Sequence, residues 1–308
     1  MNKDIQLLEL FKNGFQNNNY TRLEHPHDLK IYVGADDKGM FAIKLAGQFK
    51  PERITSSYVI TVQQMVQGDD YALIFSLGQA ELLEYFCAFC KDLITSVQDM
   101  SDTNEAYKGM SSRYFAWKKL FRSTSTKLTE KEIMGLLAEL LFLKEQLMPN
   151  FGVAMAVDAW SGPEKLHKDF SLKDIWFEVK AISTGKDSVR ISSLEQLDSQ
   201  TDGTLCVYRF EKMSPAFAGL KLNQVVLDII QSLSHSQEYE LFMGKLEKAG
   251  YTWIADYDNY VYNIIEIFSY AVTNEFPRLK RTDIPMAISK VQYEILLSEI
   301  ETFKTTNI

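Results

Sequence analysis

The stretch Lys168-Asp169-Phe170-Ser171-Leu172-Lys173-Asp174-Ile175-Trp176-Phe177-Glu178-Val179-Lys180 constrains the fold more than any other part of the chain. Apolar and polar residues alternate through both halves, the pattern of two short strands joined by a tight turn. With Lys173-Asp174 as a two-residue loop, Leu172 faces Ile175, Phe170 faces Phe177 and Asp169 faces Glu178. Side chains two apart share a face. Phe170, Leu172, Ile175, Phe177 and Val179 then form a core face, and Asp169, Glu178 and Lys180 lie on the other. Directly opposed residues sit roughly 4.5–5.5 Å apart at Cβ. Carboxylates that close repel unless a proton or cation lies between them. The hairpin therefore marks a candidate cation site.

Composition narrows the class of protein around that hairpin. With 308 residues, 46% apolar and 24% charged, the chain suits a soluble globular protein of two domains or one domain with an appendage. No apolar run reaches the roughly 18–20 residues of a membrane span, and the start lacks the pattern of a secretory signal. Three cysteines do not suggest a disulfide framework. A reduced, cytoplasmic protein with no membrane partner is expected. Cys87-Ala88-Phe89-Cys90 could be a redox pair or half a zinc site, but it lies in an apolar helix without a second ligand pair, which favours core cysteines.

A net charge of −8 argues against a general polyanion binder. The charge is uneven. Residues 1–100 hold 9 basic and 13 acidic residues, residues 101–210 hold 15 of each, and residues 211–308 hold 9 and 13. Lys108, Arg113, Lys118, Lys119, Arg122, Lys127 and Lys131 face only Glu130 and Glu132 between positions 108 and 132. That run is either a basic patch for a phosphate backbone or a solvated helical face.

Residues 1–100 read as an α+β module. A helix is followed by strands at 29–33, 40–45, 57–62 and 71–75, the first two around an Asp36-Asp37-Lys38-Gly39 turn, then a helix from about Gln79 to Val97. Residues 101–128 read as a connector that becomes helical near Tyr114. Thr129-Glu130-Lys131-Glu132 has the form of a capping box. The helix it opens should run to about Met148, stop at Pro149 and bury Ile133, Leu136, Leu137, Leu140, Leu141 and Leu143. Glu139 is hemmed in by those leucines, and a carboxylate so placed wants a partner. A strand at Val153–Val157 and a turn at Ser161-Gly162-Pro163 lead to the hairpin. Val189-Arg190-Ile191 should extend its sheet, with a short helix at Ser192–Gln200 and a strand at Thr204–Tyr208 after it. The region beyond Pro215 reads as two helices, an aromatic mixed stretch and a strand at 292–297. Asp256-Tyr257-Asp258 in that stretch reads as ordinary loop acids. The expected division is 1–100, 101–128, 129–212 and 213–308.

Asp169 followed by Glu178-Val179-Lys180 resembles the motif of the PD-(D/E)XK nuclease superfamily, the restriction-endonuclease-like fold. Two other acid-x-Lys triplets, Asp28-Leu29-Lys30 and Asp36-Asp37-Lys38, lack an opposed acid and a preceding glutamate helix. The stretch from Gly135 to Leu140, with His167-Lys168-Asp169-Phe170, is similar to a bacterial group known as PD-(D/E)XK motif proteins. In that group the likeness would extend to Glu275-Phe276-Pro277-Arg278 and Val291-Gln292-Tyr293. The resemblance implies an α/β chain, α+β overall, with an αβββαβ core, an N-terminal α+β module and a C-terminal mixed α/β extension. It also implies Mg²⁺-dependent cleavage of DNA, with Mn²⁺ able to substitute. Asp169, Glu178, the carbonyl of Val179 and Glu139 would hold the metal, and Lys180 would assist catalysis beside them. Members of the group tend to be encoded with restriction and phage-defence components, which would be partners alongside DNA and a second copy of the chain. Two departures stand out. Lys168 replaces the proline of the motif name, and a Gln-x-x-x-Tyr helix found in some branches is met by Gln196 but by Gln200 in place of tyrosine. Gln196 is an accessory candidate, and His167 reads as a turn or surface residue. A degenerate nuclease fold used for DNA binding or assembly is the rival reading, and an ordinary charged hairpin is the third.

Overall fold

The computed structural model describes residues 3–121, 127–164, 167–233 and 236–306. It divides into two compact units, 1–126 and 127–308.

The first unit contains α1 (Lys3–Lys12), β1 (Tyr20–Arg22), β2 (Lys30–Ala35), β3 (Phe41–Gly47), β4 (Ile60–Gln67), β5 (Asp70–Leu77), α2 (Leu83–Ser96) and α3 (Thr103–Leu120). The five strands form one antiparallel sheet in the order β1-β2-β3-β5-β4. The expected β2–β3 hairpin is present, with Ala35 opposite Phe41 and Gly39 at φ +76°. Asp36 Oδ1 closes that turn by accepting the N–H groups of Lys38 (3.0 Å) and Met40 (2.9 Å). One sheet face is buried against helices, where Phe75 packs on Phe89 and Tyr114 with ring centroids 5.7 and 5.0 Å apart. Cys87 and Cys90 are buried in α2 among its core residues. Residues 101–120, expected to begin as a polar connector, are mostly α3, which packs on α2.

The second unit contains α4 (Glu130–Phe142), α5 (Met148–Phe151), α6 (Val153–Ala159), β6 (Phe170–Ser171), β7 (Trp176–Ser183), β8 (Ser188–Ile191), β9 (Gly203–Met213), α7 (Leu222–Ser232), α8 (Ser236–Lys248), β10 (Val261–Val272) and β11 (Tyr293–Leu296). Its main sheet runs β10-β9-β7-β6, with β7 and β9 parallel and the other neighbours antiparallel. The region 213–308 thus supplies an edge strand to the sheet that holds the hairpin.

Three expectations change. Val153–Val157 is the helix α6, not a strand. Gly152, at φ +80°, separates it from α5, and alternating alanines suit a helix as well as a strand. Only Trp160 bridges Phe170 where a strand was expected. Pro149 does not stop the preceding helix, which passes through a π-helical stretch at Leu143–Leu147 and ends at Phe151. Proline is tolerated there because it sits in the first turn of α5. Finally, β8 leaves the hairpin's sheet and pairs with β11, and the helix expected at Ser192–Gln200 is one 3-10 turn, Leu194–Gln196.

The basic run does not form one free face. Arg113 is buried 3.7 Å from Asp92, Lys118 donates to the Thr55 carbonyl at 2.6 Å, and Lys127 pairs with Asp256. Arg122 lies outside the described residues.

Candidate active site

The capping box is formed. Thr129 N–H donates to Glu132 Oε2 at 2.8 Å, and Glu132 N–H donates to Thr129 Oγ1 at 3.4 Å. It fixes the start of α4, and the buried stripe from Ile133 to Leu143 holds the helix against the hairpin. Phe142 packs on Phe170 and Phe177 with ring centroids 5.2 and 5.1 Å apart. Glu139 is on the same helix, half-buried, and Trp160 Nε1 donates to its Oε2 at 2.8 Å.

The hairpin has the expected register, Phe170 opposite Phe177 and Ser171 opposite Trp176, with Leu172 N–H donating to Ile175 O at 2.9 Å. Its faces differ from expectation. Ile175 is 39% exposed at the tip. Trp176 and Ile182, on the same face as Glu178 and Lys180 by the two-residue period, lie in a second core with Leu205, Tyr270, Ile295 and Ile300. Strand β7 is therefore covered on both faces. This is why Glu178 is completely buried.

Asp169 Oδ2 accepts the Val179 N–H at 2.7 Å. Val179 thus meets the acids through its amide, in addition to the carbonyl expected as a ligand. Glu178 Oε1 accepts from Lys180 Nζ at 2.5 Å, and its Oε2 has no hydrogen-bond partner. At Gly162 a Cβ would lie 2.9 Å from Glu139 Oε2 and 3.2 Å from Asp169 Oδ1. Any larger residue would intrude between the two acids. Glu139 and Asp169 therefore flank Gly162, and Glu178 and Lys180 lie near enough to act on their charges.

The electrostatics report the same proximity. Burial first, then the charge of Asp169, pushes the Glu178 carboxyl up to about 8. Burial and Asp169 raise Glu139 well above the ordinary range, with Glu178 adding to the rise. Burial raises Asp169, against the opposing effects of Lys180 and the Val179 N–H. Burial alone would lower Lys180, but Glu178, Asp169 and Glu139 outweigh it, so the ammonium is held more firmly than usual. Among the described residues, no three His, Cys, Asp or Glu side chains are arranged as a ready metal-ligand cluster. The acids turn one oxygen each toward Trp160, Val179 N–H and Lys180.

Two lysines to which the sequence assigned no contact brace the segments that carry the acids and Trp160. Lys168 Nζ donates to the carbonyls of Glu195 (2.6 Å), Gln196 (2.8 Å) and Asp198 (3.3 Å) and lies 3.8 Å from the Trp176 ring centroid. Lys245, 3% exposed, donates to the carbonyls of Val157 (3.0 Å), Asp158 (2.7 Å) and Trp160 (2.6 Å). Neither had a sequence signal beyond its type, since both partner sets are backbone atoms. Gln196 does not reach the acids, because its Oε1 accepts the Ser192 N–H at 2.7 Å. His167 is exposed, as a surface residue.

Among the described residues no helix is long and apolar enough to cross a membrane. No curated protein and no solved structure matches the chain. The family model described as "Putative PD-(D/E)XK family member, (DUF4420)" matches residues 8–298. That span includes both units and every acid of the cluster, so the chain belongs to this family of nuclease-like proteins of the PD-(D/E)XK type.

Proposed function

We propose that the chain is a metal-dependent DNA endonuclease, acting in the cytoplasm as part of a bacterial restriction or phage-defence system. One observation carries this reading: Glu139, Asp169, Glu178 and Lys180 lie near enough to act on one another's charges, with Glu178 Oε2 buried and unpaired. A structural hairpin has no use for three carboxyl groups pushed above their ordinary range by burial, two of them also by a neighbouring acid.

The residues fit Mg²⁺, with Mn²⁺ as a substitute, because they offer hard oxygen donors and lack a compensating cation for the unpaired oxygen. Asp169, Glu178, Glu139 and the Val179 carbonyl would hold the ion. When bound, it supplies a bound water of lowered pKa and neutralises charge on the phosphate. The chain's own residues do the rest. Val179 N–H and Trp160 Nε1 each take one lone pair of an acid and leave the other oxygen free to act. Lys180 stays protonated, so its part is to stabilise developing negative charge rather than to accept a proton. DNA is the substrate class. The acidic net charge favours work with other defence proteins or a second copy that supply contacts to the duplex.

A cleavage assay on plasmid and linear DNA with Mg²⁺ or Mn²⁺ tests this, comparing wild type with Glu178→Ala and Lys180→Ala. Each variant should lose about 100-fold or more of the rate, the scale of removing one preorganised charge. Equal cutting by both variants, or no cutting by wild type even with proteins encoded beside it, would sink the catalytic assignment. The second reading is a catalytically degenerate subunit for DNA binding or assembly, and the Glu178–Lys180 pair at 2.5 Å is what favours it. It expects no rise in melting temperature with divalent cation, whereas the nuclease reading expects a rise that Glu178→Ala removes.

A further inference from the structure

The acid cluster uses no residue of the first unit, which has a hollow of its own. The sheet there buries one face under helices and presents the other, where β1, β2 and β3 bring Tyr20, Tyr32 and Lys44 together. The register sets Arg22 opposite Tyr32 and Tyr32 opposite Lys44. Tyr20 reaches this face because Gly34 has no side chain. A Cβ at Gly34 would lie 2.1 Å from the Asn19 carbonyl oxygen and 2.7 Å from Tyr20 Cα, so only glycine lets β1 close on β2. The Lys44 ammonium lies 4.1 Å from the Tyr20 ring centroid and 4.7 Å from that of Tyr32.

Beside this group is a cavity of about 480 Å³ with Asn18 and Asn19 on its wall and the small residue Ala46 among those lining it. A second hollow of about 120 Å³ also borders Tyr20 and Lys44. The larger one falls within the roughly 300–1,000 Å³ typical of small-molecule sites. Its other charges are already neutralised. Lys30 pairs with Asp70 at 2.9 Å, Gln48 Nε2 adds a bond to Asp70 at 3.1 Å, and Arg22 pairs with Asp28 at 2.6 Å. Lys44 is half-buried and forms no ion pair among the described residues, although Asp36 and Asp37 line the smaller hollow that it also borders. The Tyr20 hydroxyl is buried with no hydrogen-bond partner. A half-buried ammonium held only by two ring faces is short of an anion.

We infer that this hollow binds a nucleoside phosphate, with Lys44 taking a phosphate oxygen and the Tyr32 ring, on the face turned from Lys44, stacking on the base. The site answers both halves of such a ligand. A lone cation suits one anionic group, aromatic faces suit any base, and the Asn18 and Asn19 side chains offer donors and acceptors to a base edge. The inference does not rest on cleavage, and binding measured in chelator keeps the two apart.

Full-length protein is titrated, with EDTA present, into a short fluorescent oligothymidylate followed by anisotropy. Thymidine 5′-monophosphate, thymidine and inorganic phosphate serve as competitors. Lys44→Met and Tyr32→Leu should each weaken binding about tenfold or more, and Lys50→Met, at an exposed lysine, should leave it unchanged. Competition by the monophosphate at concentrations similar to the oligonucleotide assigns a free nucleotide. Binding of the oligonucleotide that the monophosphate displaces only at far higher concentration assigns a strand. No binding, unchanged binding by both variants, or inorganic phosphate competing as well as the monophosphate overturns the inference. If Lys44→Met fails to fold by circular dichroism, Tyr32→Leu decides alone.

Discussion

Glu178 shows most directly what the fold does to a single residue. An exposed glutamate on a strand is unremarkable, but here burial and the neighbouring Asp169 hold its carboxyl at about 8. The folded chain therefore keeps a proton that the unfolded chain releases at its ordinary value of 4.5. Between those two values folding binds protons, so stability must fall as pH rises. Glu139 and Asp169 shift in the same direction and add to the effect. In the presence of a chelator, the melting temperature should drop between about pH 5 and pH 8, a loss on the order of a few kcal/mol. Glu178→Gln should flatten that drop and stabilise the protein at the alkaline end. A wild-type curve that is level or climbs through this window would contradict the buried acid cluster. On the proposed metal-site reading, divalent cation would take the place of the proton, and its stabilising effect should grow over the same range.

At the level of the element, the acids depend on segments held by backbone contacts. Helix α6 ends at Trp160, whose side chain holds Glu139 while its carbonyl is held by Lys245. One ammonium at the end of α6 serves three carbonyls, of which that of Val157 also accepts the Trp160 N–H at 3.4 Å, and a cation there also suits the helix dipole. Lys245→Met keeps the bulk but removes those bonds. It should cost about 2 kcal/mol or more of stability in chemical denaturation. A change under about 0.5 kcal/mol, the scale of an ordinary surface substitution, would show that Lys245 does not anchor α6. Lys168 plays the matching part on the other side, where it ties the residue before Asp169 to the turn at Glu195–Asp198.

For the whole molecule, the balance of charge sets how it can meet DNA. The chain carries a net −8, and several of the cations in its most basic stretch are engaged with partners inside the protein. That stretch therefore presents fewer cations to displace counterions from a duplex than its sequence suggests. The affinity for double-stranded DNA should therefore fall only gently with salt, with a log–log slope corresponding to about three phosphates or fewer. Anisotropy over a salt series with catalytically inactive protein measures it. A slope of about six phosphates or more would reveal a basic duplex-binding surface and weaken the case for partner-supplied contacts.

How much of this was legible in the chain follows from the range of the interactions involved. The hairpin register, the capping box of α4 and the core cysteines all rest on neighbours within a few residues. Alternation, turn length and cap spacing report those directly. The sequence by itself thus determined the hairpin register and which helix carries Glu139. It could not determine what covers a strand. That Trp176 and Ile182 would be buried by residues as distant as Tyr270 and Ile300, and Glu178 with them, is a matter of long-range packing. The same holds for α6, where alanine alternation suits two structures and Lys245 holds the helical end, and for Gln196, taken up by its own turn. Local patterning chose the residues of the site. Only the tertiary structure decided their burial, and with it their charge, because solvent exclusion depends on chain segments with no sequence proximity to the acids.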